Sequence, residues 1–107
     1  MRALIVDDSS FIREYIRQQM EYLGWSCVEA PNGSEALGVL RRDDGFGVML
    51  VDVNMPVMDG MECVRLLREA QLAPEMKVMP SAGSKTWGLE RIRTAGTLRE
   101  TAGSSDR

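Results

Sequence analysis

The sequence contains no histidine. That removes the commonest general base, any Ser-His-Asp arrangement and the usual nitrogen ligand of zinc and haem. It has only two cysteines, Cys27 and Cys63, and their spacing fits no metal site and no disulfide framework. Both fall in apolar-leaning segments, so the expectation is two reduced thiols in the core of a cytoplasmic protein. Long apolar runs are missing as well. Nothing approaches the ~20 residues that a membrane-spanning helix needs. The first apolar run, residues 3–6, is too short for a secretory leader, and two aspartates follow it. There is no excess of positive charge: the net charge is −3 and the sequence pI about 4.9. This argues against a nucleic-acid partner held by bulk electrostatics. The 107 residues suffice for one domain with a single core.

What is present is organised around residues 48–60, V-M-L-V-D-V-N-M-P-V-M-D-G. Residues 48–51 form an uninterrupted apolar run of the kind found in a strand buried on both faces of a parallel sheet. Asp52 ends it. A lone carboxylate is too costly to bury after four apolar residues, which places it at the carboxyl end of the strand, facing a cleft. Asn54, Pro56, Asp59 and Gly60 are turn residues that lead toward the next helix.

The same logic opens the chain. Residues 3–6 read as a buried strand that ends in Asp7-Asp8. Ser9 or Ser10 can cap the following helix, which runs to about Leu23. Ile12, Ile16, Met20 and Leu23 form its inner stripe, with Arg13, Arg17, Gln18 and Glu21 mostly on the outer face. Gly24 stops it. Residues 26–30 read as a second strand, and Pro31-Asn32-Gly33 as a turn. A short helix over residues 35–42 follows, with Ser34 as its cap and Ala36, Leu37 and Leu40 inside. Asp43-Asp44-Gly45 ends it in a solvated loop. A third helix over residues 61–70 is expected to bury Met61, Val64 and Leu67. Pro74 lies in the next loop, and residues 76–79 begin a fourth apolar segment. Alternation of strand and helix predicts an α/β domain, a parallel sheet with helices on both faces. In such sheets the site lies beyond the carboxyl ends of the strands, where strand order reverses. Asp7, Asp8 and Asp52 all belong at that edge. Helix capping would account for Asp7 and Asp8, but not for Asp52 at a second strand end.

Three converging carboxylates repel one another, and a hard divalent cation relieves this. Mg²⁺ prefers oxygen ligands and keeps several waters, so two carboxylates and a carbonyl suffice. An aspartate beside such a cation is a reasonable nucleophile toward a phosphoryl group. At this point the motifs Val6-Asp7-Asp8-Ser9, Val51-Asp52-Val53-Asn54-Met55-Pro56 and Met58-Asp59-Gly60 resemble those of the receiver domains of two-component response regulators, the CheY-like family. The resemblance spans residues 1–79. It implies a three-layer, doubly wound, flavodoxin-like fold. It also implies that Asp52 is the phosphoacceptor and a Mg²⁺ ligand, that Asp8 binds Mg²⁺ directly and Asp7 largely through water, and that the Asn54 carbonyl completes the metal shell. Pro56 and Gly60 resemble the family's loop-shaping residues.

The resemblance breaks after Met79. The family continues with a Thr or Ser at the end of the fourth strand, then a helix, a fifth strand ending in Lys-Pro and a last helix. Counted from Asp52, the hydroxyl position falls near Ala82, with Ser81 one residue early. No Lys-Pro occurs, and Lys85 is the only lysine beyond Lys77. Composition changes at the same point. Residues 1–79 hold all eight Met, all nine Val and no Thr, whereas residues 80–107 hold four each of Thr, Gly, Ser and Arg. A reading-frame change just after Met79, or a truncation with a new tail, would produce this switch. The expectation is an incomplete domain over residues 1–79, without the fifth strand and last helix, followed by a divergent tail over residues 80–107. Residues 87–95 of that tail could form a helix capped by Thr86; the alternative is a disordered tail.

Functionally, the resemblance implies phosphoryl transfer to Asp52 from a sensor histidine kinase or a phosphotransfer protein, with a downstream protein target. Transfer should be weakened by the altered C-terminus, and the chain should be a phosphoacceptor rather than a turnover enzyme. The other readings are a non-switching interaction or assembly module, and a phosphatase-like hydrolase. The latter is disfavoured because Asn54 stands where such an enzyme would offer a general-acid aspartate. An exposed fourth strand and an uncovered sheet face predict a homodimer or an exchange of elements between chains.

Overall fold

The computed structural model describes residues 1–52, 58 and 60–81. In chain order the elements are β1 (Arg2–Val6), α1 (Ser10–Tyr22), β2 (Ser26–Ala30), α2 (Gly33–Arg42), β3 (Val48–Asp52), α3 (Gly60–Glu69) and β4 (Lys77–Ser81). The four strands form one parallel sheet in the order β2-β1-β3-β4. After β2 the chain crosses back over β1 to place β3 on its other side, so strand order reverses between β1 and β3. That is the position at which a doubly wound sheet opens a cleft.

The period of two along each strand sends alternate side chains into two cores. Leu4, Val6, Met49 and Val51 face one way and pack with Ala36, Leu37 and Leu40 of α2 and Cys63 and Leu67 of α3. Ala3, Ile5, Val48 and Leu50 face the other way and pack with Ile16 and Met20 of α1, together with Trp25 and Met79. All five residues of β3 are buried, as a strand covered on both faces requires.

Helix boundaries follow local chemistry. Ser9 caps α1, its hydroxyl accepting from the Ile12 amide at 3.3 Å. At the other end Gly24 has φ of 96°, a left-handed conformation that costs glycine least. There the Gly24 amide donates to the Glu21 carbonyl and the Trp25 amide to the Met20 carbonyl, each at 3.0 Å. This is a Schellman closure, and Trp25 and Met20 share a core beneath it. The same closure recurs after α3, where the Gln71 amide donates to Arg68 and the Leu72 amide to Leu67. Here a glutamine holds the left-handed position, with φ of 55°.

Three expectations need correction. Asn32, not Ser34, caps α2: its Oδ1 accepts from the Glu35 amide at 2.9 Å, and the helix starts one residue before Ser34. Met61 is 56% exposed, and Cys63 takes the inner position on α3, because the stripe that packs on the sheet runs through Gly60, Cys63 and Leu67 at i, i+3 and i+7. The apolar patch expected on one sheet face is not found among the described residues, since Val48, Leu50 and Met79 are at most 4% exposed. The capped helix expected over residues 87–95 lies outside the described residues.

Candidate acidic site at the switch point

The site is built where β1 and β3 end side by side. Their register pairs Val6 with Val51, so the next residues, Asp7 and Asp52, come side by side at the carboxyl edge of the sheet. Asp7 still continues the ladder, its amide donating to the Ala30 carbonyl at 3.2 Å. Its Oδ1 accepts from the Ser9 amide at 2.9 Å, a short turn that leads into the α1 cap. Asp8 is exposed, whereas Asp7 and Asp52 are only 4% and 8% exposed. One carboxylate oxygen from each of Asp7, Asp8 and Asp52 lies within 4.8 Å of the others. The three sequence candidates are therefore brought together. Asn54, Pro56 and Asp59 lie outside the described residues. Gly60 opens α3 and is buried.

Burial is the largest influence on Asp7 and raises its pKa above the ordinary 3.8. The Ser9 amide opposes this, and the neighbouring charges of Asp52 and Asp8 add to it. A buried carboxyl crowded by two others is the electrostatic condition that a cation relieves. The donors are hard oxygens and one of the three is exposed, so the set fits a divalent ion that retains water, as Mg²⁺ does.

The backbone register also pairs Asp52 with Ser81, the last residue of β4. Counting along the sequence puts the hydroxyl position near Ala82, and the backbone register sets Ser81 beside Asp52.

Two residues at this edge were not singled out by sequence reasoning. Arg13 was assigned to the outer face of α1, yet its Nη1 donates to the main-chain carbonyl of Asp7 at 2.6 Å and its Nε to Glu29 at 3.1 Å. Glu29 also pairs with Arg17 at 2.7 Å. The signal was available: Glu29 alternates with Cys27 and so faces α1 from β2, and an acid there calls for cations one turn apart on the helix.

Comparison with known proteins agrees with the architecture. The Response regulator receiver domain family model matches residues 3–94. The virulence sensor protein BvgS of Bordetella pertussis is 40% identical over 74 residues, covering 69% of this chain and 6% of that protein. The chemotaxis protein CheY homolog of Campylobacter jejuni is 36% identical over 80 residues, 74% of this chain and 62% of that one. The chain thus spans less than two thirds of either relative. Among solved structures, the chemotaxis protein CheY4 of Vibrio cholerae superposes with a TM-score of 0.69 at 28% identity, covering 85% of this chain and 78% of that one. A sensor protein from Polaromonas gives 0.71 at 27% identity, with 83% and 71% covered. With its motifs at the exits of β1 and β3 and its parallel order β2-β1-β3-β4, this chain belongs to the receiver-domain family of two-component response regulators.

Proposed function

We propose that the domain accepts a phosphoryl group on Asp52 from a phosphohistidine of a sensor histidine kinase or phosphotransfer protein. The observation that carries this reading is the convergence of Asp7, Asp8 and Asp52 within 4.8 Å at the strand-order switch. An Asp52 oxygen attacks phosphorus in line, the P–N bond breaks with its electron pair returning to the imidazole, and an aspartyl phosphate results. Asp7, Asp8 and the Asn54 carbonyl would hold Mg²⁺ together with Asp52. The ion supplies charge neutralisation for the phosphoryl oxygens and the attacking carboxylate. Asp7, mostly shielded from solvent, fixes the geometry of the β1 exit. Asp8, exposed, offers its carboxylate at the mouth of the cleft.

Ser81 is the residue we assign to the hydroxyl position, on the strength of its register with Asp52. No Lys-Pro follows it, so the cation that steadies the transferred group in this family has no counterpart by sequence. Transfer should be slower for that reason, and conformational relay weaker. The composition change after Met79 supports a second reading, a non-switching assembly module that binds the cation and does not signal. Intact-mass spectrometry after incubation with acetyl phosphate and Mg²⁺ decides between them. A gain of one phosphoryl mass that is lost in Asp52→Asn supports the first reading. Cation binding with no mass gain supports the second.

A further inference from the structure

We propose that Arg13 is a positioning residue for the cation site, acting through the main chain of Asp7. The inference rests on the acidic cluster being a divalent-cation site. The Arg13 guanidinium is bound on two sides: Nη1 donates to the Asp7 carbonyl at 2.6 Å and Nε to Glu29 Oε1 at 3.1 Å. Its side chain is only 15% exposed. Glu29 is itself anchored in β2, in register with Ile5 of β1, and is braced from the other side by Arg17. The guanidinium thus ties the β1–α1 turn, which carries both Asp7 and Asp8, to the neighbouring strand. Within that turn the Ser9 amide holds the Asp7 carboxylate and the Arg13 amide holds the Ser9 carbonyl at 3.0 Å, so one segment fixes both ends of the loop. A rigid guanidinium fork suits this task, because its Nε–H and Nη1–H leave from separate nitrogens in fixed directions, whereas an ammonium places all its donors on one freely rotating nitrogen.

The proposal makes a prediction opposite in sign to simple electrostatics. Arg13 is a positive charge near a cation site, so removing it should tighten cation binding if charge alone mattered. If it positions the acidic turn, removing it should weaken binding.

The experiment is a Mn²⁺ titration of the full chain, followed by the electron paramagnetic resonance signal of free Mn²⁺ and by competition with Mg²⁺. Groups that orient metal ligands from outside typically change affinity 10–100-fold, so Arg13→Met is expected to weaken binding about tenfold. Arg17→Met removes a charge from the same Glu29 without touching the Asp7 carbonyl, and is expected to stay within about twofold of wild type by the same comparison. Arg13→Lys keeps the charge but loses the fixed pair of donors on separate nitrogens, and should fall between wild type and Arg13→Met. Circular dichroism reports folding in parallel. If Arg13→Met does not fold, Arg13→Lys decides: weaker binding supports the proposal and wild-type affinity overturns it. A folded Arg13→Met that binds Mn²⁺ as well as wild type, or better, overturns it outright. Wild-type protein that binds no Mn²⁺ overturns the reading of the acidic cluster, and this inference with it.

Discussion

Gly33, the first residue of α2, is pressed against Cys63 of α3: a Cβ at position 33 would lie 3.0 Å from the Cys63 Cβ and 2.9 Å from the Met58 sulfur. The Cys63 thiol in turn donates to the Gly33 carbonyl at 3.6 Å. The methionine tip can move aside, but the Cys63 Cβ is fixed to the helix. Gly33→Ala is therefore expected to destabilise the fold by about 1–3 kcal/mol, the usual penalty of overpacking. Urea denaturation measures it. An unchanged midpoint would show that α2 and α3 can separate at no cost.

Removal of the buried charge at Asp7 should act in the opposite direction. Its pKa is raised on folding, mainly by burial, so the native state holds the proton more tightly than the unfolded chain. That contribution is complete below the unfolded value of 3.8 and is lost as pH rises through the higher folded value. At pH 7 without divalent cations, the cost of holding a charged carboxylate in this buried position opposes folding. Asp7→Asn should raise the melting temperature there, and the gain should disappear below about pH 3.8. A gain independent of pH would remove charge as its cause.

Cation binding should stabilise the native state by mass action. At a Mg²⁺ concentration of 100 times Kd the increment is about 2.7 kcal/mol for one site. Calorimetry with and without EDTA reads it, and Asp8→Ala should abolish most of the increment while leaving the metal-free fold nearly unchanged, since Asp8 is exposed. An equal increment in that variant would place the ion elsewhere.

Gln71 closes α3 in a left-handed conformation, with φ of 55°. The left-handed region costs a residue with a side chain roughly 1–2 kcal/mol, and glycine avoids that cost while losing more chain entropy. Gln71→Gly is expected to stabilise by about 0.5–1 kcal/mol on that balance. Destabilisation in a urea titration would mean that the glutamine side chain contributes more than the backbone strain removes.

The two thiols should be inert. Burial pushes both Cys27 and Cys63 up to about 11. At pH 8 on the order of one in a thousand molecules would carry a thiolate at either position. Native protein should react slowly with a thiol-specific disulfide reagent and unfolded protein rapidly. Fast reaction of one native thiol would point to local opening of its segment.

Strand identity and the clustering of carboxylates were legible because they depend on short patterns. Four apolar residues followed by an acid occur at residues 3–7 and 48–52, and burial of all eight apolar positions follows from that pattern. The cap of α2 was less legible because Asn32 and Ser34 are both good caps; which one serves depends on where the backbone turns out of β2. The inward face of α3 was misjudged for a related reason. Met61, Val64 and Leu67 also fit helical spacing, but the packing against α2 and the sheet selects the neighbouring stripe of Gly60, Cys63 and Leu67. The Arg13–Glu29 tie was only half legible: alternation with Cys27 puts Glu29 on the α1 side of β2, but the choice of a partner 16 residues away depends on how helix and strand pack.

The crossing of the chain over β1 gives the acidic site an unusual relation to time. Asp7 and Asp52 are 45 residues apart in sequence and become neighbours only when β3 docks beside β1. Parallel pairing of this kind requires a long connection, and closing it is entropically costly. A chain released from denaturant cannot assemble all three carboxylates from any local fragment. The ion therefore cannot template early folding; it can only arrive once the central pair of strands has formed. The rate of cation uptake during refolding is thus a stopwatch on that single long-range event.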